Sequence, residues 1–159
     1  MSACLLGANV RYHGGNARLL HPILQRWADE GRLVSTCPEV AGGLTTPRPA
    51  AEVRWVTGEQ SERLPIVRTS DGRDVSDAFA RGAEEALAVA RRFRIRVAVL
   101  KDGSPSCGAT AIFDGTFSGT KVAGEGVTAA LLRANGVHVF SDTQLDQAAS
   151  VLGALEAGA

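Results

Sequence analysis

Apolar residues recur at helical spacing in four segments of the chain, and each segment predicts an amphipathic helix. The segments are residues 16–31, 74–93, 126–136 and 142–156. Their clearest apolar positions are Leu19, Leu20, Ile23, Leu24 and Trp27 in the first segment and Val75, Phe79, Ala83, Leu87 and Ala90 in the second. Pro22 lies where the first turn of a helix tolerates proline, and Asp74 is placed to cap the second helix.

Short apolar runs between these segments predict buried strands. They cover residues 32–36, 95–101 and 137–141, and residues 2–6 would form a fourth strand. Runs that are apolar throughout are typical of strands buried on both faces, and strands that alternate with helices favour a parallel sheet. We therefore predict an α/β fold: a three-layer Rossmann-like domain with a mostly parallel sheet, formed by residues 1–159 as a single domain.

Two segments fit neither pattern. Residues 47–73 contain prolines and predict a β-ribbon or a long loop, whereas the glycine-rich residues 111–126 remain unassigned. The sequence shows no internal repeat, low-complexity tract or linker between domains.

Composition and charge narrow the range of functions. The 159 residues are 45% hydrophobic and 21% charged, with 17 basic and 17 acidic side chains, which is typical of a soluble globular domain. This balance provides no basic face for a large nucleic acid or for anionic lipid, so we expect a small-molecule partner. No signal peptide and no membrane-spanning apolar run is present, and we expect a cytoplasmic protein.

The three cysteines share one kind of position. Cys4, Cys37 and Cys107 each follow a predicted strand and precede a polar loop that contains Gly or Pro. In α/β proteins ligands bind beyond the carboxyl ends of the strands, where such loops converge. Three cysteines are too few for a disulfide framework, which leaves packing, metal binding or catalysis. The structural alternative is three inert buried thiols.

Metal binding is the first functional interpretation. Three thiolates without a CxxC pair match structural zinc poorly, because zinc takes four ligands. A fourth would have to come from a histidine or an acidic residue: His13, His21, His138 or Glu39. His21 at a helix start and His138 in a strand are better explained as structural residues. An iron–sulfur cluster is also bound by thiolates, and three cysteines would leave one iron open as a Lewis acid.

Six short motifs add a resemblance to a known family. In order along the chain they are "SACLLG" with "VRY", "CPEVAGGLTTPRPAAE", "GRDVSDAFARGA", "LKDGSPSCG", "FDGTF" and "GEGVTAALLRANG". Together, from Ser2 to about Phe140, they resemble the 2-thiouracil desulfidases. The family pattern leads us to expect an acidic residue in place of His13, so His13 is assigned no role.

The resemblance implies a [4Fe–4S] cluster held by Cys4, Cys37 and Cys107, with the fourth iron reserved for substrate sulfur. It implies a thiolated pyrimidine, similar to 2-thiouracil, as the small-molecule substrate. It further implies a non-redox exchange of C=S for C=O that releases sulfide. Cluster-assembly machinery is then an expected partner, and an oxygen-sensitive protein is expected because an iron open to substrate is also open to oxidants.

Two residues beside the cysteines are candidates for catalysis. Glu39 lies two positions after Cys37 in "CPE" and is the predicted general base, as the resemblance also implies. The alternative is that its carboxylate only fixes the loop. Ser104 matches the active-site serine of the family and could bind the ring or relay a proton. Pro105 stiffens this segment, because proline restricts its own backbone and that of the residue before it.

For four other residues the sequence gives weaker support for a role in the site. Ser106 either donates a hydrogen bond to a cluster sulfur or closes a local turn, and the local turn is the preferred interpretation. Asp74 is first a helix cap and second a candidate for substrate contact. Lys101 and Arg11 are candidates for offsetting cluster charge or holding a substrate oxygen.

Two competing functions remain open from the sequence alone. The first is a non-catalytic zinc or iron–sulfur module that binds or senses a ligand, for which Glu39 would be dispensable. The second makes Cys107 a metal-free nucleophile activated by a helix N-terminus. This second interpretation gives Cys4 and Cys37 no role.

Overall fold

Six helices and six strands are interspersed along residues 1–158, the part of the chain that the computed structural model describes. The helices are a 3₁₀ helix at Ala3–Leu6, α1 at Pro22–Asp29, α2 at Pro38–Ala41, α3 at Ser76–Arg92, α4 at Val127–Ala134 and α5 at Leu145–Ala157. The strands are β1 at Ala51–Thr57, β2 at Arg63–Thr69, β3 at Val97–Leu100, β4 at Ala111–Phe113, β5 at Lys121–Ala123 and β6 at His138–Ser141. No helix within residues 1–158 is long and apolar enough to cross a membrane.

The strands of residues 1–158 form three two-stranded sheets. The fold is therefore mixed α/β, and neither a three-layer Rossmann-like arrangement nor a mostly parallel sheet is confirmed. The parallel pair is β3 and β6, in register from Val97 opposite His138 to Leu100 opposite Ser141. The pairs β1–β2 and β4–β5 are antiparallel. The first lies within the segment predicted as a β-ribbon or loop, and the second within the unassigned glycine-rich segment.

Two predicted strands are wrong. Residues 2–6 and 32–36 meet in an isolated parallel bridge between Ser2 and Thr36, and Ser2 also donates its N–H to the Val99 carbonyl at 3.1 Å. The N-terminal segment turns into the 3₁₀ helix directly after this bridge, because Leu5 N–H bonds to the Ser2 carbonyl at 3.0 Å. Hydrogen bonds within the N-terminal segment thus take the place of the inter-strand hydrogen bonds that an additional parallel strand would need.

Helices cover both faces of β3. Val99 packs in a hydrophobic cluster with residues of α1 and α5, whereas Ala98 and Leu100 pack in a second cluster with residues of α3 and α4. A third cluster joins β1 and β2 to α3. Successive strand residues point to opposite faces, so a short strand whose residues are all apolar is buried on both sides, as predicted.

The predicted apolar stripes are confirmed for α3 and corrected for α1. In α3 the predicted positions Phe79, Ala83, Leu87 and Ala90 are buried, whereas Val75 precedes the helix and is half-buried. The first helix begins only at Pro22, so Leu20 precedes it and is 80% exposed. His21 caps this helix, because its Nδ1 accepts a hydrogen bond from Ile23 N–H at 3.2 Å, which confirms its structural role.

Two glycines allow the short helix α2 to touch α3 backbone to backbone. A Cβ atom on Gly82 would lie 2.0 Å from the Pro38 carbonyl oxygen, and one on Gly42 would lie 2.0 Å from the Ala78 oxygen. Real Cβ atoms do not approach a carbonyl so closely, so any side chain here would push the two helices apart. Because α2 begins directly after Cys37, this contact also sets the position of that cysteine.

We expect Gly82→Ala to lower the free energy of unfolding by about 1–3 kcal/mol, the usual range for overpacking a filled interface. Gly153→Ala is the matched control, since a Cβ on this helical glycine of α5 meets nothing within 4 Å. It should raise the free energy of unfolding by up to about 1 kcal/mol through helix propensity. Urea denaturation of both variants measures the difference; equal effects would contradict the packing argument.

Candidate active site

One pocket of about 420 Å³ brings together the five residues to which the sequence assigns a central role. They are Cys4, Cys37, Cys107, Glu39 and Ser104. They come from the 3₁₀ helix, from the start of α2 and from the loop between β3 and β4. Residues up to about 100 positions apart in sequence thus line one site.

Cys4 and Cys37 are positioned by short helical turns. Cys4 lies within the 3₁₀ helix, which ends where Gly7 adopts φ 97°, a left-handed conformation that favours glycine. Cys37 is the last residue before α2, and Pro38 starts that helix. Cys4 is buried and Cys37 is half-buried, and neither forms a disulfide.

The Cys107 loop rests on the first turn of α4. The carbonyls of Pro105, Ser106 and Gly108 accept hydrogen bonds of 2.8–3.2 Å from backbone N–H groups at the start of the helix. There is no space for a side chain between them, since a Cβ on Gly126 would lie 2.4 Å from Ser106 backbone atoms. The free N–H groups of the helix start are therefore used to hold the loop.

Asp102 ties the same loop from inside, a role that sequence reasoning missed. Its Oδ1 accepts the N–H groups of Ala109, Thr110 and Ala111 at 2.9–3.0 Å, and the Thr110 hydroxyl bonds to Oδ2. Burial raises the pKa of this carboxyl, but these hydrogen bonds outweigh burial and the pKa is lowered. The available signal was an Asp-Gly pair after a strand, where aspartate often bonds to nearby backbone.

Burial makes the thiolate form of all three cysteines costly. It raises the pKa of Cys4, of Cys37 and of Cys107, that of Cys107 to about 12. The proximity of the three groups adds to the effect, since negative charge on Cys37 raises the pKa of both other thiols. Thiolates here therefore need a cation beside them.

The burial and the raised pKa of Cys107 argue against the interpretation of this residue as a metal-free nucleophile. A reactive cysteine is partly exposed and has a lowered pKa. Cys107 is 6% exposed, its pKa is raised, and the N–H groups of the nearby helix start bond to loop carbonyls.

The donor set also does not match a single-metal site. Within residues 1–158 no group of three or more His, Cys, Asp or Glu side chains could hold one metal ion. His13 and His138 are exposed, and His13 Nδ1 accepts the Gly15 N–H. A cluster has a different requirement, because each thiolate binds its own iron and the three sulfurs need only surround a common space.

Glu39 is held by an arginine that sequence reasoning did not single out. Arg48 donates from Nε at 2.9 Å and from Nη2 at 2.6 Å, both to Glu39 Oε2. The side chains are 15% exposed for Glu39 and 7% for Arg48. Arg48 also donates to the carbonyls of Val10 and Thr45, so its guanidinium is fixed from several sides. The carboxylate is therefore oriented, with Oε1 left free of the arginine.

Ser104 links the cysteine loop to Glu39. Its Oγ accepts the N–H groups of Ser106 at 3.0 Å and Cys107 at 2.9 Å. The hydroxyl donates to Glu39 Oε1 at 3.4 Å. The predicted base and the predicted serine are thus neighbours.

The weaker candidates divide into two groups. Lys101 and Arg11 line the pocket and act to lower the pKa of Cys4, and Lys101 pairs with Asp142 at 2.9 Å. Ser106 is not among the residues that line the pocket and bonds instead to the buried Thr128 hydroxyl at 2.8 Å.

Asp74 also lies outside the pocket lining. Its carboxylate accepts the N–H of Ser76, the first residue of α3, at 2.9 Å. Hydrogen bonds from Ser76 lower its pKa. The capping interpretation of Asp74 is therefore the one that its contacts support.

Comparison with known proteins is consistent with this geometry. A family model described as 2-thiouracil desulfurase matches residues 1–144. The uncharacterized protein YbbK of Bacillus subtilis (strain 168) is 41% identical over 148 residues, which cover 92% of this chain and 96% of YbbK. The solved structure of TudS, described as a [4Fe–4S]-dependent thiouracil desulfidase, is 49% identical and superposes with a TM-score of 0.86, covering 96% of this chain and 95% of TudS. The chain therefore belongs to the 2-thiouracil desulfurase family.

Proposed function

We propose that this protein converts a thiolated pyrimidine of the 2-thiouracil class to its oxo counterpart with water. The main support is one pocket that contains three free cysteines together with an arginine-bound carboxylate and a serine. The family and the description of TudS point to the same reaction. The carbon exchanges C=S for C=O, both hydrogens of water end on sulfide, and no electrons are transferred.

The cysteines suit a [4Fe–4S] cluster in number, chemistry and position. Cys4, Cys37 and Cys107 are free thiols that line one pocket, and each would supply one thiolate. The positive iron ions would stabilise thiolates that burial otherwise disfavours. When bound, such a cluster supplies a Lewis-acid site for a soft sulfur atom.

Glu39 is proposed as the general base. Arg48 holds Oε2, so Oε1 is the oxygen that can take a proton from the attacking water. The same atom can return that proton to the departing sulfur. Arg48 keeps the carboxylate in one orientation, which favours a defined path for water.

Ser104 is proposed to orient Glu39. Two backbone N–H groups bond to its Oγ, so its hydroxyl hydrogen is the group available to a partner. That hydrogen points to Glu39 Oε1. This arrangement fits a donor to the base better than a proton relay, for which Oγ would have to accept a proton.

We expect protein purified without oxygen to be brown and to contain about four irons and four sulfides per chain. Replacing Cys4, Cys37 or Cys107 by Ser should lower the iron and acid-labile sulfide content, because each removes one thiolate. Ser106→Ala is the matched control and should retain the cluster, since the Ser106 hydroxyl bonds to Thr128 outside the pocket lining. Stoichiometric zinc without labile sulfide would instead favour a zinc-binding module.

Glu39→Gln should retain the cluster but lower kcat by about 10²–10⁴-fold, the usual contribution of a general base. The amide oxygen can still accept from Arg48, whereas the amide nitrogen cannot take a proton from water. Glu84→Gln, an exposed change on α3, is the control and should leave kcat unaltered. Steady-state kinetics and iron content measure the two effects. Full activity of Glu39→Gln would contradict the assignment of the base.

Cluster-loaded protein given 2-thiouracil should release uracil and sulfide without an external electron donor, because the exchange leaves the oxidation states of carbon and sulfur unchanged. In ¹⁸O-labelled water the label should appear in the uracil, as mass spectrometry can show. A reductant required at every turnover, or an unlabelled product, would be inconsistent with hydrolysis.

A further inference from the structure

A second glutamate lies in the wall of the active-site pocket. Glu52 in β1 is 8% exposed and lines the pocket. Its neighbour Val53 packs in the hydrophobic core, so the alternation of a strand places Glu52 on the opposite face. None of the ion pairs among residues 1–158 involves Glu52. A buried carboxylate without a cation is costly unless other groups bond to it.

Only one of its two oxygens has a defined role in the fold. Oε2 accepts the N–H of Phe117 at 3.1 Å. Oε1 accepts no hydrogen bond within residues 1–158. Every fully buried side-chain oxygen in this part of the chain, however, has a hydrogen-bond partner. Oε1 is therefore not fully buried, and the pocket is a space that Glu52 lines.

The hydrogen bond to Oε2 holds a strained residue. Phe117, in the loop between β4 and β5, has φ 58°, a conformation that bulky side chains rarely adopt. Such strain persists only where surrounding contacts enforce it, and it is concentrated at binding sites. Phe117 and Phe113 both line the pocket.

Aromatic rings beside a carboxylate form a suitable site for a flat heterocycle. Proteins that bind an isolated base stack it on aromatic side chains and bond to the edge of the base. A carboxylate can only accept hydrogen bonds, so it selects an edge that carries a donor. On a thiolated pyrimidine that donor is a ring N–H.

We propose that Glu52 is a specificity-determining residue whose Oε1 accepts a hydrogen bond from a ring N–H of the substrate. This proposal rests on the proposed function and names its substrate class as thiolated heterocycles with at least one free ring N–H. 2-Thiouracil has an N–H on each side of its thiocarbonyl carbon. The analogue 1,3-dimethyl-2-thiouracil has neither and should be a poor substrate.

Glu52→Gln tests this assignment in the cluster-loaded protein. The amide oxygen can still accept the Phe117 N–H, and the amide NH₂ would then face the ring N–H, donor against donor. We expect KM for 2-thiouracil to rise about ten- to hundred-fold, the value of a lost hydrogen bond to a charged group, with little change in kcat. Activity on the dimethyl analogue should not fall. Glu84→Gln is again the control, and thermal unfolding verifies that both variants are folded.

Binding of the product provides a readout that does not depend on turnover. Uracil keeps both ring N–H groups and 1,3-dimethyluracil keeps neither, so NMR titration of cluster-loaded protein with each measures the N–H contact. The wild-type protein should prefer uracil, and Glu52→Gln should remove the preference. An unchanged preference, or an equal loss of affinity for both ligands, would overturn the role of Glu52. If the preference is present but 2-thiouracil is not desulfurised, the proposed function fails while the role of Glu52 stands.

Discussion

The burial of three thiols around one space is the constraint on which the rest of the site depends. Burial raises the pKa of all three thiols, and negative charge on Cys37 raises the pKa of Cys4 and Cys107 further. Lys101 and Arg11 offset only part of this cost at Cys4. A pocket of this kind is suited to a cation-rich cofactor, and such a cofactor would in turn connect three separate segments of the chain.

Rigid backbone contacts keep those segments in place. Gly42 and Gly82 let α2 lie directly on α3, and Gly126 lets the Cys107 loop lie on α4. Asp102 closes the same loop from within. A site assembled across distant segments needs such support, because small displacements of a ligand or of a base are costly.

The two oxygens of Glu39 differ in their hydrogen bonds, and so do the two oxygens of Glu52. Arg48 holds one oxygen of Glu39, and the other oxygen faces Ser104, so the carboxylate has a single orientation. In Glu52, which also lines the pocket, one oxygen bonds to the Phe117 N–H and the other is proposed to face the substrate. In both carboxylates the fold fixes one oxygen, and we propose that the other acts in chemistry or recognition.

The sequence by itself determined some of the local elements and which residue types are available. The apolar stripe of α3 depends on side-chain periodicity and β3 on a short run of apolar residues, and both signals are local. The motifs along the chain identified the family. Only the tertiary structure decided that residues 2–6 turn into a 3₁₀ helix and that Arg48 pairs with Glu39. It also decided that Ser106 bonds to Thr128 rather than lining the pocket. These outcomes depend on which backbone groups and charges meet across the fold, and spacing along the chain does not contain that information.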